Sequence, residues 1–230
     1  MKIQHNTLNS ISITIYGETS EKVYLYLHGQ NGNQEEAAFA AKILTTKGWQ
    51  VVAYDLPEHG TRKNSSEKFV PWEVIPELKN LYQTLKQNWT TIALYANSIS
   101  AWFSLLAFAD IELDHCLLVS PVVDMEKLIT KMMSWAQVSE VQLEQEQLIE
   151  TDFGQTLSWQ YLTYTRTHPV TNWQIPTKIM FGENDNLTSL AEIRTFAEKY
   201  HCQLTVMPGG EHWFHTEEQL QFLSTWLNKA

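Results

Sequence analysis

The chain has 230 residues, and 16 Lys and Arg against 26 Asp and Glu give it a formal net charge of −10. That length suits one α/β domain, and 43% hydrophobic with 18% charged residues is a globular balance, not a disordered one. The acidic total, with no basic stripe, argues against nucleic acid as a partner, because phosphate binding needs clustered Lys and Arg.

The opening MKIQHNTLNS lacks the apolar core of a signal peptide, so a cytoplasmic protein is expected. SISITIY (10–16) alternates apolar and polar residues, which predicts a half-buried strand with Ile11, Ile13 and Ile15 on one face. KVYLYLHG (22–29) is a denser apolar run ending at a glycine, as in a strand buried on both faces. NQEEAAFAAKILTTKG (33–48) reads as a helix, with an Asn cap, acids in the first turn and a glycine after the last. WQVVAYD (49–55) is a second buried strand, and LPEHGTRKNSSEKF (56–69) a polar loop. From Pro76 onward Leu78, Leu81, Tyr82 and Leu85 share one helical face, with the proline in the first turn. TTIALYA (90–96) is a third buried strand, SISAWFSLLAFA a helix and HCLLVSP (115–121) a fourth strand. PTKIMFG (176–182), SLAEIRTFAEKY, CQLTVMP (202–208) and TEEQLQFLSTWLNKA continue as strand, helix, strand, helix.

This alternation implies βαβ units and a mainly parallel sheet with helices on both faces. Residues 122–172 break it: they hold no convincing strand and read as two or three amphipathic helices. They are expected as a helical cap inserted into a single domain spanning 1–230. No stretch is long and apolar enough to cross a bilayer. Cys116 and Cys202 lie in apolar, strand-like contexts and are expected as buried free thiols. No CxxC or HExxH occurs, so no metal site is expected.

In a parallel α/β sheet ligands sit at the carboxyl ends of the strands. Following the buried strands in turn come HGQNGN, DLPEHG, ANSIS, ENDNLTS and GGEHWFH. These contain a serine (98), an acid (185) and a histidine (212), each where a strand gives way to a loop. A serine nucleophile needs a base within hydrogen-bond reach, a group to orient that base, and N–H donors for the oxyanion. HGQNGN lacks the GxGxxG of a dinucleotide site and the GK[ST] of a phosphate loop.

The pieces LHGQNGN, VVAYDLPEHG, LYANSISA, IMFGENDN and GGEHWF, in this order, resemble those of α/β-hydrolase-fold serine hydrolases. They are similar to the small esterase, lipase-like and thioesterase members with a helical cap, and span residue 23 to the C-terminal helix. The resemblance implies Ser98 as nucleophile, His212 as general base and Asp185 as the acid that orients it. It implies an oxyanion hole from the backbone N–H groups of Ile99 and Gln30. The family's elbow pattern is G-x-S-x-G, whereas this chain reads A-N-S-I-S, with small Ala96 and Ser100 replacing both glycines. His215 is the rival base, and Glu183 and Asp124 are the rival acids. DLPEHG resembles the family's D-x-P-G-H-G turn, with Glu58 replacing a glycine and with Asp55 and His59 structural.

The implied activity is cleavage of a small-molecule carboxylic ester or thioester through an acyl-enzyme, with no cofactor. An acyltransferase differs only in the second acceptor, and family members with an aspartate nucleophile recede. The alternative is a non-catalytic small-molecule binder or regulator on the same scaffold, supported by the two missing glycines. Met132, Met133, Trp135, Phe153, Trp159, Tyr161 and Tyr164 either pack the cap or line an acyl or alcohol pocket. The acidic surface disfavours large anionic substrates. Substrate and oligomeric state are not legible.

Overall fold

The computed structural model describes residues 1–8 and 10–229. Its strands are β1 (Ile3–Leu8), β2 (Ile11–Tyr16), β3 (Lys22–Leu27), β4 (Gln50–Tyr54), β5 (Thr91–Asn97), β6 (Cys116–Val119), β7 (Leu148–Glu150), β8 (Thr156–Ser158), β9 (Thr177–Gly182) and β10 (Gln203–Met207). Eight of them form one sheet in the order β1-β2-β4-β3-β5-β6-β9-β10. The pairs β1–β2 and β2–β4 are antiparallel, and every pair from β4 to β10 is parallel. The alternating strand and helix pattern therefore builds the mainly parallel sheet it implied.

The helices are α1 (Ala37–Leu44), α2 (Pro71–Leu85), α3 (Ile99–Ala107), α4 (Met125–Ala136), α5 (Glu140–Glu146), α6 (Trp159–Thr167), α7 (Leu190–Lys199) and α8 (Glu217–Leu227). Successive strand residues point to opposite faces, so the central strands feed two cores. Val23, Leu25 and Leu27 pack with α2, α3 and α7 residues such as Leu78, Phe103 and Ile193. Tyr24, Tyr26, Val51, Ala93 and Tyr95 pack with Ala37, Ala41, Leu223 and Trp226 of α1 and α8. Burial of both faces explains why these strands read as continuous apolar runs.

The structure departs from the sequence reading at several places. Strand β1 carries no apolar period, because its side chains are nearly all exposed; backbone pairing to β2, a His5–Thr14 side-chain bond of 3.1 Å and the half-buried Leu8 hold it. In β2, Thr14 and Tyr16 are buried alongside Ile13 and Ile15, so this strand is not simply half-buried. Between β6 and β9 the chain holds α4, α5 and α6, but also the hairpin β7–β8, whose three-residue strands are too short to show a period. Arg166 joins the three helices of this segment, reaching Glu126 at 2.7 Å and Glu140 through two bonds of 2.7 and 2.9 Å. The thiols are both free, with Cys116 buried and Cys202 only half-buried at the mouth of β10.

Helix α2 starts at Pro71, five residues before the expected proline. Pro71 takes the first-turn position where its missing N–H matters least, which leaves Pro76 inside the helix. Pro76 is exposed, so its ring contributes little packing to offset the lost backbone bond to Trp72. Pro76→Ala should therefore stabilise the protein by about 1–3 kcal/mol, read as a higher denaturant midpoint at unchanged slope.

Candidate active site

The strand order reverses at β3: the chain moves from β3 to β4 on one side, then returns to add β5 on the other. Such a switch point opens a crevice at the carboxyl ends of the strands. The loop after β3 carries Gly29 and Gln30, and the turn after β5 carries Ser98, so the two meet there. A Cβ placed on Gly29 would sit 3.4 Å from Ser98 Cβ, the limit of ordinary contact.

Ser98 has φ 51° and ψ −122°, a region that non-glycine residues enter at about 1–3 kcal/mol of strain. Its backbone is pinned from β6 and the loop after it: Ser98 N–H donates to Val119 O at 3.0 Å, and Val122 N–H donates to Ser98 O at 3.0 Å. Ala96 and Ser100 are fully buried, which only small residues permit at this turn. Ser100 also does what glycine could not: its hydroxyl donates to the carbonyl of His28 at 2.5 Å, tying α3 to the loop that precedes Gln30.

Ser98, His212 and Asp185 are brought into one hydrogen-bonded line. Ser98 Oγ lies 2.8 Å from His212 Nε2, and His212 Nδ1 lies 2.6 Å from Asp185 Oδ2. The Asp185 carboxylate is 0% exposed and the His212 ring 14%. With the Nδ1 proton donated to an acceptor-only carboxylate, Nε2 is left to accept from the serine hydroxyl. Asp185 Oδ1 accepts the backbone N–H groups of Leu187 (2.8 Å) and Thr188 (3.0 Å), which fixes the carboxylate's orientation. The N–H group of Ile99 follows Ser98 directly, Gln30 lines the same cavity as Ser98, and neither N–H bonds to another group among the described residues.

The rivals are engaged elsewhere. Glu183 Oε2 accepts from Gly209 N–H at 2.9 Å, and Asp124 caps α4 by accepting from Lys127 N–H. The ring of His215 stacks on Trp213 with centroids 4.5 Å apart. The acid loop and the histidine loop meet through backbone: Asn184 N–H donates to Gly210 O at 2.7 Å. Gly182 makes this approach possible, since a Cβ there would stand 2.4 Å from Glu211 O and 2.5 Å from Gly210 O.

The turn after β4 supports the same crevice. Burial alone would raise the Asp55 carboxyl, but donors on Thr61 and Gln34 outweigh it and hold Asp55 below its ordinary range. His59 Nε2 accepts Asn31 N–H at 3.0 Å, which braces the loop carrying Gln30. Glu58 adopts φ 63°, so it holds the left-handed position where the family pattern has glycine. The sequence reading missed His28. It is fully buried, donates from Nδ1 to Gly29 O at 2.7 Å and accepts Leu56 N–H at 3.0 Å. Burial pushes it down to about 4. Its position before the Gly29 turn was the only sequence signal.

A cavity of about 860 Å³ opens beside Ser98 and His212. Of the aromatic and Met stripe, Met132, Trp135 and Phe153 line it, whereas Tyr161 and Tyr164 pack against Trp72 and Trp102. Trp135, Phe153 and Trp213 form a rim, 45%, 40% and 72% exposed. The tip of the β7–β8 hairpin is fastened across the opening, where Gln30 Nε2 donates to Gln155 Oε1 at 2.7 Å.

Two outcomes follow. Gly182→Ala should destabilise the fold by about 1–3 kcal/mol through backbone overlap, and should part Asp185 from His212, seen as loss of the downfield Nδ1 proton resonance. His28 has a lower pKa folded than unfolded, so its contribution is present above about pH 6.5 and is lost as pH falls towards 4. The stability lost across that window should be about 3 kcal/mol, and His28→Gln should flatten the slope in chemical denaturation at stepped pH.

No known family profile and no curated protein sequence matches this chain. Solved structures do. Est1E from Butyrivibrio proteoclasticus is 17% identical, with a TM-score of 0.76 over 99% of this chain and 96% of its own. Mouse alpha/beta hydrolase domain-containing protein 10 is 11% identical, with a TM-score of 0.75 over 100% and 98%. The thioesterase domain from the curacin biosynthetic pathway is 16% identical, with a TM-score of 0.62 over 99% of both chains. At these identities the likeness concerns the fold, and with the sheet order and the Ser98 turn it establishes that the chain has the α/β-hydrolase fold.

Proposed function

We propose that the protein is a serine hydrolase that cleaves a carboxylic ester or thioester of a small molecule through an acyl-enzyme. The observation that carries this reading is the Asp185–His212–Ser98 line, with the serine held on a strained turn at the floor of an apolar-rimmed cavity. Ser98 Oγ attacks the acyl carbon while His212 Nε2 takes its proton. The charge that develops on the carbonyl oxygen is met by the Ile99 and Gln30 N–H groups. His212 then gives its proton to the departing alkoxide or thiolate. Water, deprotonated by the same histidine, attacks the acyl carbon, and the acid leaves as Ser98 recovers its proton. Asp185 keeps the imidazole tautomer and favours its charged form.

Est1E has been seen with ferulic acid bound and the curacin domain is a thioesterase, and both chemistries belong to the class proposed here. The non-catalytic alternative rested on the two absent glycines. Ala96 is small enough for the turn, and the Ser100 hydroxyl adds a bond to it, so that support falls away.

Treatment with a fluorophosphonate probe should give a single adduct, located on Ser98 by peptide mapping. Ser98→Ala should give none, and His212→Ala should label far more slowly. Asp185→Asn should lower kcat for an aryl ester by about 10³–10⁴-fold, because the wrong tautomer is then favoured. A folded wild-type protein that takes no adduct would sink the reading.

A further inference from the structure

The cavity does not end at the catalytic line. It continues past Asn97 to the α1 and α8 face of the sheet, where Tyr26, Tyr95, Phe39, Phe214 and Glu36 line it. Glu36 is the one carboxylate in that wall. It lies against Gly32, so that a Cβ on Gly32 would stand 2.9 Å from both carboxylate oxygens. Glu36 is exposed where the cavity opens to solvent, and no cation of the described residues pairs with it; partial desolvation raises its carboxyl above the ordinary range, against a backbone hydrogen bond from Asn33. Tyr26 and Tyr95 stack beside it with centroids 4.9 Å apart and planes 20° from parallel. Both phenols are raised, by burial first and by the Glu36 charge as a further cause, so they remain neutral. Tyr26 Oη accepts from Asn97 Nδ2 at 2.9 Å, which leaves its proton to offer.

An apolar acyl or alkyl arm would find this end unsuitable, because it would take water from the exposed Glu36 carboxylate and give it no partner. An anionic arm would be repelled. A carboxylate in a cavity wall that also carries aromatic side chains favours an alkylammonium ion, through ion pairing with cation–π attraction beside it. We propose that the Glu36 end of the cavity is a subsite for a cationic, ammonium-bearing arm of the substrate. This rests on the reading of Ser98 as nucleophile for its link to turnover, but not for binding. Ser98 and Glu36 line the same cavity, so one molecule can present its ester at the serine and its ammonium group at the carboxylate.

The test is calorimetric titration of the Ser98→Ala protein with hexylammonium chloride, hexan-1-ol and sodium hexanoate. Hexylammonium should bind at least ~10-fold tighter than the alcohol, and hexanoate should be weakest. Adding Glu36→Gln should remove the ammonium preference while thermal unfolding stays unchanged, since no other side chain bonds to Glu36. Gly32→Ala, which crowds the carboxylate, should weaken hexylammonium as well. Equal binding of alcohol and ammonium, binding of none of the three, or a preference that survives Glu36→Gln would overturn the proposal. Ammonium binding without fluorophosphonate labelling of Ser98 would defeat the hydrolase reading and keep the subsite. Labelling without ammonium preference would do the reverse.

Discussion

A serine at φ 51° and ψ −122° does not stay there by its own preference. It is held from outside, and most of the functional geometry follows from what holds it. Val119 at the end of β6 and Val122 in the loop after it grip the Ser98 backbone on both its donor and acceptor sides. Ser100 fastens the first turn of α3 to His28, and His28 in turn fixes the loop that carries Gln30. The turn that exposes Ser98 and the loop beside it are therefore parts of one braced unit. Loosening either would move the serine relative to both candidate oxyanion donors.

The histidine and the acid reach that unit by a different route. They lie on loops after β10 and β9, whose backbones approach so closely that Gly182 is required between them. This contact sets how Asp185 faces His212, and the two N–H groups from Leu187 and Thr188 aim the carboxylate. Both sides of the crevice thus combine backbone bonds with side-chain bonds: Val119, Val122 and Ser100 on the serine side, the Gly182 approach and the Asp185 carboxylate on the other. The line Ser98–His212–Asp185 joins the two halves.

Around it, the inserted segment between β6 and β9 divides its aromatic residues between two tasks. Tyr161 and Tyr164 extend the core by packing on Trp72 and Trp102, while Trp135 and Phe153 meet each other at the rim of the cavity. Periodicity could not separate these roles, since α4 alone presents buried Met133 beside cavity-lining Met132. The polar end at Glu36 was equally illegible. In the sequence Glu36 is one of two acids in the first turn of a helix, and only its position over Gly32 gives it a place in the cavity.

The buried strands β3 to β6 and β9 were readable from their apolar runs, because a strand covered on both faces has no polar side to interrupt it, whereas the edge strand β10 is mostly half-buried and was readable from its short apolar run alone. Ser98, Asp185 and His212 were readable because each stands where such a run breaks into a loop. The edge strand β1 and the hairpin β7–β8 were not, for neither buries enough side chain to leave a pattern. Pro76 misled, since a proline is a frequent helix starter and its exposure to solvent inside α2 is a fact of packing. By itself, then, the sequence determined the parallel sheet and the three side chains at its strand ends, through burial and chain order. The tertiary structure alone decided that those three form one hydrogen-bonded line and that a carboxylate lines the cavity beside them. Loops remote in sequence meet only when the sheet twists them to one edge, and no local pattern encodes that meeting.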